Sequence, residues 1–198
     1  MGLAPVTLED EAVALMPFDE EQADALFSAS VGSDVWRFMP MEIKTAEAMR
    51  GFITAARALN DQGLGLGFSV RHKRCGEIVG GTGFWARDVQ HRRVEIGATW
   101  VARSHQRGEV NTRAKLLLLE HAFGRLGCLR VEFKTDARNE KSRAALLRIG
   151  AREEGTLRHH MLLHDGSHRD SVYFSILDDE WPSVRKRLAA KLAHSGGG

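Results

Sequence analysis

Apolar and polar residues alternate along this chain with a period that changes several times, and each change marks an element. Val13, Leu15 and Pro17-Phe18 follow an acidic patch and predict a first strand within residues 6–18, after which Asp19 opens an acidic, alanine-containing helical stretch to Ser30. Met49, Phe52, Ile53, Ala56 and Leu59 recur at helical spacing behind Thr45, a residue able to cap a helix N-terminus, with Glu47 in the first turn. After Gly63 the pattern shortens to runs at 66–72, 77–85 and 94–102 separated by turn residues, which predicts three strands of an antiparallel meander. In the third of these Val94, Ile96, Ala98 and Trp100 alternate with Glu95, Gly97 and Thr99, so Glu95 is expected on the face away from the main core. Residues 111–126 predict an amphipathic helix with Leu116, Leu119, Ala122, Phe123 and Leu126 on one stripe and Gly127 as its stop.

A strand at 129–135, a helix from about Asn139, a strand pair at 155–163 and 171–177 around an Asp165-Gly166 turn, and a helix after Pro182 complete the chain. The succession of strand, long helix and strand over 94–135 requires a crossover, which makes strands 94–102 and 131–135 parallel neighbours. The expected fold is therefore α/β with a mixed sheet. It is mostly antiparallel and twisted, with one parallel pair and helices on its flanks. Ligands in such sheets bind beyond the carboxyl end of the parallel strands, beside the N-terminus of the following helix. Residues 103–115 occupy that place.

Composition narrows the function classes. A chain of 198 residues, 43% hydrophobic, can bury a core without metal or disulfide support, and residues 1–194 are expected to form one domain with 195–198 as a flexible tail. The 28 basic against 26 acidic residues give a charge of only +2, too balanced for a protein that lives on nucleic-acid phosphates. Cys75 and Cys128 form no disulfide framework, and no signal or membrane-spanning pattern is present, so a reduced, cytoplasmic protein is expected, with neither nucleic acid nor membrane as partner.

The loop Arg103-Ser104-His105-Gln106-Arg107-Gly108-Glu109-Val110-Asn111-Thr112-Arg113 places arginines, with Lys115 close behind, around free helix amides, a composition suited to a pyrophosphate; solvated arginines on an ordinary turn would read the same. The strand ending Trp100-Val101, the turn from Gln106, the leucine-rich helix, Val131-Glu132-Phe133-Lys134-Thr135, Asn139 and Gly150-Ala151 together resemble the acetyl-CoA-binding half of the GNAT superfamily of N-acetyltransferases. The likeness is greatest to its ribosomal-protein N-terminal (Rim-type) branch. It implies that the amides of Arg107, Gly108, Glu109, Val110 and Asn111 carry the pyrophosphate of acetyl-CoA or CoA, with Gln106 and Thr112 also among the cofactor-binding residues. It further implies that the strand at Trp100 and Val101 pairs with the pantetheine arm and that Asn139 hydrogen-bonds the same arm. Glu109 and Asn111 stand where the family has glycine or alanine. This departure is tolerable if the Glu109 side chain turns away from the phosphates.

Acetyl transfer needs a neutral amine, a stabilised oxyanion and a protonated thiolate; with reference pKa values near 8 for an α-amine, about 10.4 for lysine and about 8.5 for a thiol, a base matters more for lysine acceptors than for α-amines. Many family members carry a tyrosine seven residues after the asparagine, where this chain has Leu146; the Rim-like branch has a serine three residues after it, which is Ser142 here. Ser142 is thus a candidate hydrogen-bond donor near the sulfur, or a first-turn helix serine. Glu95 is the candidate base, or an ion-pair partner of Arg92 and Arg93. Trp36 and Phe38 are candidate walls of the acceptor pocket, with one of His159 and His160 as a candidate proton relay and His160 as a candidate substrate-binding residue. The histidines at 159, 160, 164 and 168 alternate in direction along a strand and are not expected to hold a metal. The glycine runs at 63–67 and 80–83 open no helix after a strand and read as turn or packing glycines. The leading expectation is an acetyl-CoA-dependent N-acetyltransferase acting by direct attack in a ternary complex. Its acceptor is a protein N-terminus or a small amino compound. A degenerate CoA- or partner-binding domain is the alternative, and the C-terminal strand pair is compatible with a homodimer edge.

Overall fold

The computed structural model describes residues 3–32 and 34–195. Among the described residues, eight strands form one sheet in the order β1-β2-β3-β4-β5-β6-β8-β7, where β1 is Leu8–Glu9, β2 Val13–Pro17, β3 Leu66–His72, β4 Ile78–Asp88, β5 Arg93–Val101, β6 Arg130–Asp136, β7 Arg152–Leu162 and β8 His168–Leu177. Every neighbouring pair is antiparallel except β5 and β6. The helices are α1 (Ala23–Ser30), α2 (Ala46–Asp61), α3 (Val110–Glu120), α4 (Glu140–Ile149) and α5 (Trp181–Ser195). The expected first strand is a short hairpin of two. α5 runs to Ser195, so the first residue of the expected tail is helical; the rest of it, residues 196–198, lies outside the described residues.

Two apolar clusters sit on opposite faces of the sheet. The larger gathers Val94, Ile96 and Val101 of β5, Phe133 of β6 and Phe174 of β8 beneath Ala114 and Leu118 of α3, Leu146 of α4 and Leu188 of α5. The smaller packs Phe18, Leu26, Met49 and Ile53 around Trp100, so α1 and α2 cover the other face only over the first strands. Beyond β5 that second face is polar, carrying Glu132, Lys134, Tyr173 and Ser175, and the loop between α1 and α2 reaches across to it.

Trp100 corrects the simple alternation. In β5, the four residues from Gly97 to Trp100 span what the three residues from Gly83 to Gly81 span in β4, and Ala98 has φ of +47°. This bulge turns Trp100 to the α1/α2 face and puts Val101, instead of Trp100, in line with Val94 and Ile96. The long-helix stripe also differs. Leu118 and Leu119 are the fully buried leucines while Leu116 is only partly buried, and the helix widens into a π-turn over His121–Arg125. A run of four leucines leaves the burying face ambiguous in sequence.

Arg113 is buried within an acidic cluster, its guanidinium 2.9 Å from Asp10 and 2.9 Å from Glu109 and in contact with Glu11. Burial pushes the Asp10 carboxyl up, but the Val13 amide, Arg113 and the Ala12 amide outweigh it and hold Asp10 below the usual carboxylate range. Arg113→Met is expected to lower unfolding free energy by about 3 kcal/mol at pH 7, because it leaves Asp10 without its cation. In the wild type this contribution is complete above the ordinary carboxylate pKa and is lost as pH falls through the lowered native one. Urea unfolding at pH 7 and pH 3 measures both.

Candidate active site

β5 and β6 pair only over Arg93–Glu95 and Arg130–Glu132. Past Glu95 the two strands part, and the remaining length of β5 has no strand partner on that side among the described residues. The opening leads to the N-terminus of α3. Gln106 fastens the approach, its Nε2 donating to Val101 O over 2.9 Å, and Arg107 takes a left-handed φ of +66°, which turns successive amides into a concave nest. α2 and α4 are capped by Thr45 and Asn139, yet α3 has no side-chain cap, so its first-turn amides stay available. Asn111 Oδ1 is buried there without a partner among the described residues.

The cations around this loop are arranged differently from the expectation. Arg113 is spent on Asp10 and Glu109, and Lys115 points away from the loop. The same ion pair draws the Glu109 carboxylate off the nest, leaving the exposed Arg103 and Arg107 as the loop's basic groups. An extended acyl-pantetheine chain with a pyrophosphate fits these residues: a strand edge, helix amides and the Arg103 and Arg107 guanidiniums, all without side-chain or strand partners among the described residues.

Lys115 is the group that sequence reading missed. Its side chain is buried, with Nζ 2.6 Å from Thr99 Oγ1 on β5 and 5.5 Å from the Phe133 ring on β6, so the amine sits between the two strands where they part. Burial pulls its pKa down to about 7, against an opposing pull from the Glu95 carboxylate. In sequence Lys115 counts only as one of the cations around the 103–113 loop, and the three-dimensional splay shows that it fills the gap between the strands instead.

Glu95 does face away from the main core, but it is 7% exposed and not an arginine's partner: its Oε2 accepts from Lys134 Nζ at 2.7 Å. Arg92 donates instead to Gly127 O, and Arg93 pairs with Asp88 and Glu132. Gly97 makes the room, since a Cβ there would stand 2.7 Å from Glu95 Oε1. The Trp85 indole lies against the same spot, and its Nε1 is buried without a partner among the described residues. Gly97→Ala is expected to displace Glu95 and cut kcat while leaving the fold intact by far-UV circular dichroism. Unchanged kcat would show that the carboxylate position is not critical.

The same polar face carries His160, whose Nδ1 is 3.0 Å from Ser171 Oγ and whose ring meets Tyr173 edge-on. A β7 bulge at His159, with φ of +50°, breaks the expected alternation, and His159 stacks on His168 at 4.2 Å. Arg169 is buried and binds Ser171 Oγ and Phe38 O, both at 3.0 Å; burial lowers its pKa against the pull of Asp136, Glu95 and Tyr173. Through that bond the Trp36–Phe38 loop is tied to β8, while Trp36 packs on Trp100 at 5.9 Å. The Phe38 ring itself meets the guanidiniums of Arg37 and Arg138, 5.2 and 5.8 Å from its centre. Asn139 Oδ1 accepts from Ser142 N at 3.1 Å, capping α4, which leaves the Asn139 NH2 and the half-buried Ser142 hydroxyl without partners among the described residues. Leu146, at the tyrosine position of many relatives, is buried in the core.

A mixed sheet whose parallel pair opens in front of an uncapped helix defines an acyltransferase-type fold, and the comparisons identify the family. The model of the acetyltransferase (GNAT) domain matches residues 13–152, so the chain belongs to the GNAT family and is an N-acetyltransferase. It is 27% identical over 171 residues to the uncharacterized N-acetyltransferase YoaA of Bacillus subtilis, covering 86% of this chain and 96% of that one. It is 37% identical over 106 residues to the "Putative ribosomal N-acetyltransferase YdaF" of the same organism, covering 54% of this chain and 57% of that one. Among solved structures, Mycobacterium smegmatis RimJ in complex with CoA-disulfide superposes with a TM-score of 0.83 at 27% identity, covering 95% of each chain. No helix among the described residues is long and apolar enough to cross a membrane.

Proposed function

We propose that this N-acetyltransferase takes its acetyl group from acetyl-CoA and delivers it directly to a primary amine, a protein N-terminal α-amine or a small amino compound. The observation that carries this reading is the parting of β5 and β6 after Glu95, with Lys115 between the strands and the uncapped α3 amides at the opening. The names of YdaF and the CoA-bound RimJ structure support the same cosubstrate and include protein acceptors in its range.

Acetyl-CoA supplies the activated thioester. The amides of residues 107–112 with Arg103 and Arg107 hold its pyrophosphate, and the free edge of β5 at Trp100 and Val101 orients the pantetheine with the Asn139 NH2. Glu95 Oε1 accepts the proton of the incoming ammonium, and Lys134 and the Trp85 indole fix the carboxylate and the acceptor beside it. Lys115, with a pKa near that of the medium, returns a proton on the thiolate side, where the Ser142 hydroxyl donates a further hydrogen bond. Trp36, Phe38 and His160 bound the acceptor side.

The test is acetyl transfer measured by CoA thiol release, with N-terminal peptides and small amines as parallel acceptors. Turnover with either class is expected, and none with any amine would overturn the reading. Ser142→Ala is expected to lower kcat by roughly tenfold to a hundredfold with little change in acceptor KM; unaltered turnover would remove the serine from the mechanism.

A further inference from the structure

Outside the cleft, three residues far apart in sequence converge on one point. His72 ends β3, Cys75 lies in the turn to β4, and His105 lies in the 3-10 turn Arg103–His105 that follows β5. His72 Nδ1 is 3.3 Å from Cys75 Sγ, the two imidazole rings are 5.1 Å apart, and one ligand atom from each of the three residues lies within 4.8 Å of the others. The turn is held by backbone bonds, from Gly76 N to His72 O at 2.9 Å and from Lys73 N to Ala12 O at 2.8 Å. Ser104 Oγ, 2.9 Å from His105 Nδ1, is the kind of outer contact that orients a metal-bound imidazole. Both histidines are half-buried and the thiol is exposed, so an ion can enter.

We infer that His72, Cys75 and His105 form a binding site for zinc, with the fourth position open to water. One thiolate and two imidazoles suit a borderline d10 cation and offer nothing to magnesium or calcium, which require oxygen ligands. As the zinc–sulfur bond forms, Cys75 releases its thiol proton to solvent, so binding weakens in acid. His105 directly precedes Gln106, and the bound ion pins the lead-in of the 106–112 loop to the β3–β4 turn. A change in acetyl-CoA affinity follows from that link, and this consequence rests on the cosubstrate reading above.

The experiment is titration of the full chain, purified metal-free, with zinc against a chromophoric chelator and with cobalt(II) as a spectroscopic probe. One-to-one binding is expected, with a near-ultraviolet thiolate-to-cobalt band that vanishes in Cys75→Ser. Affinity should fall at least about tenfold in both Cys75→Ser and His105→Ala, while His168→Ala stays at wild-type level and millimolar magnesium does not compete. Far-UV circular dichroism checks that each variant folds. Absence of one-to-one binding, or wild-type affinity in either Cys75→Ser or His105→Ala, overturns the site. Acetyl-CoA titrated with and without zinc should show affinities that differ about fivefold or more in wild type and not in Cys75→Ser. Equal affinities overturn the link but not the site, and no acetyl-CoA binding in either state defeats the cosubstrate reading alone.

Discussion

Replacing Lys115 with methionine is expected to stabilise the fold and remove most of its activity. The ammonium is buried with a single hydroxyl partner, Thr99 Oγ1, and a ring face, and burial has brought its pKa from 10.5 to about 7. Methionine fills a similar volume without a charge to desolvate. Below pH 7 the amine is protonated in both native and unfolded chains, and the desolvation cost is borne in full. Between about 7 and 10.5 the unfolded chain binds the extra proton, so wild-type stability rises with pH across that window. Lys115→Met lacks this rise. Its advantage in urea unfolding is greatest at pH 6, on the order of a few kcal/mol, and shrinks toward pH 10. Parallel stability curves would mean that the amine is not desolvated. Activity should fall about a hundredfold or more, since a group that costs the fold this much at the parting of β5 and β6 is there for the reaction.

Glu95→Gln is expected to lower kcat/KM by about a hundredfold to a thousandfold at neutral pH. The amide keeps the shape that Gly97 accommodates but cannot take a proton, and Lys134 loses its ionic partner at 2.7 Å. The deficit should narrow as pH rises through the acceptor's own pKa, where the amine arrives already neutral. A pH–rate profile parallel to wild type would reject Glu95 as the base. The substitution also removes the one charge that favours protonated Lys115, so the stability rise attributed to that lysine should begin at lower pH.

Period and turn chemistry carried much of this fold. The third strand was legible to its ends, since Leu66–His72 sits between glycines and a turn, and the parallel pairing of β5 with β6 followed from the helix between them. The failures have physical causes. A single extra residue at Ala98 reverses every later side chain of β5, and nothing in an alanine announces a positive φ. Arg113 looked like a phosphate ligand because its partners Asp10 and Glu11 lie about a hundred residues away. Glu95, Ser142 and the 106–112 loop become candidates through family resemblance, whereas Lys115, Trp85 and the His72–Cys75–His105 cluster depend on distances between elements.

The most direct test of the central claim is calorimetric titration of the protein with acetyl-CoA and with CoA, beside a Glu109→Gly variant. Micromolar binding of both is expected, corresponding to about 8 kcal/mol. Wild type should bind even though Glu109 occupies a family glycine position, because Arg113 already holds its carboxylate at 2.9 Å. If neither cosubstrate binds either protein, the opening between β5 and β6 is not an acetyl-CoA site and the account fails.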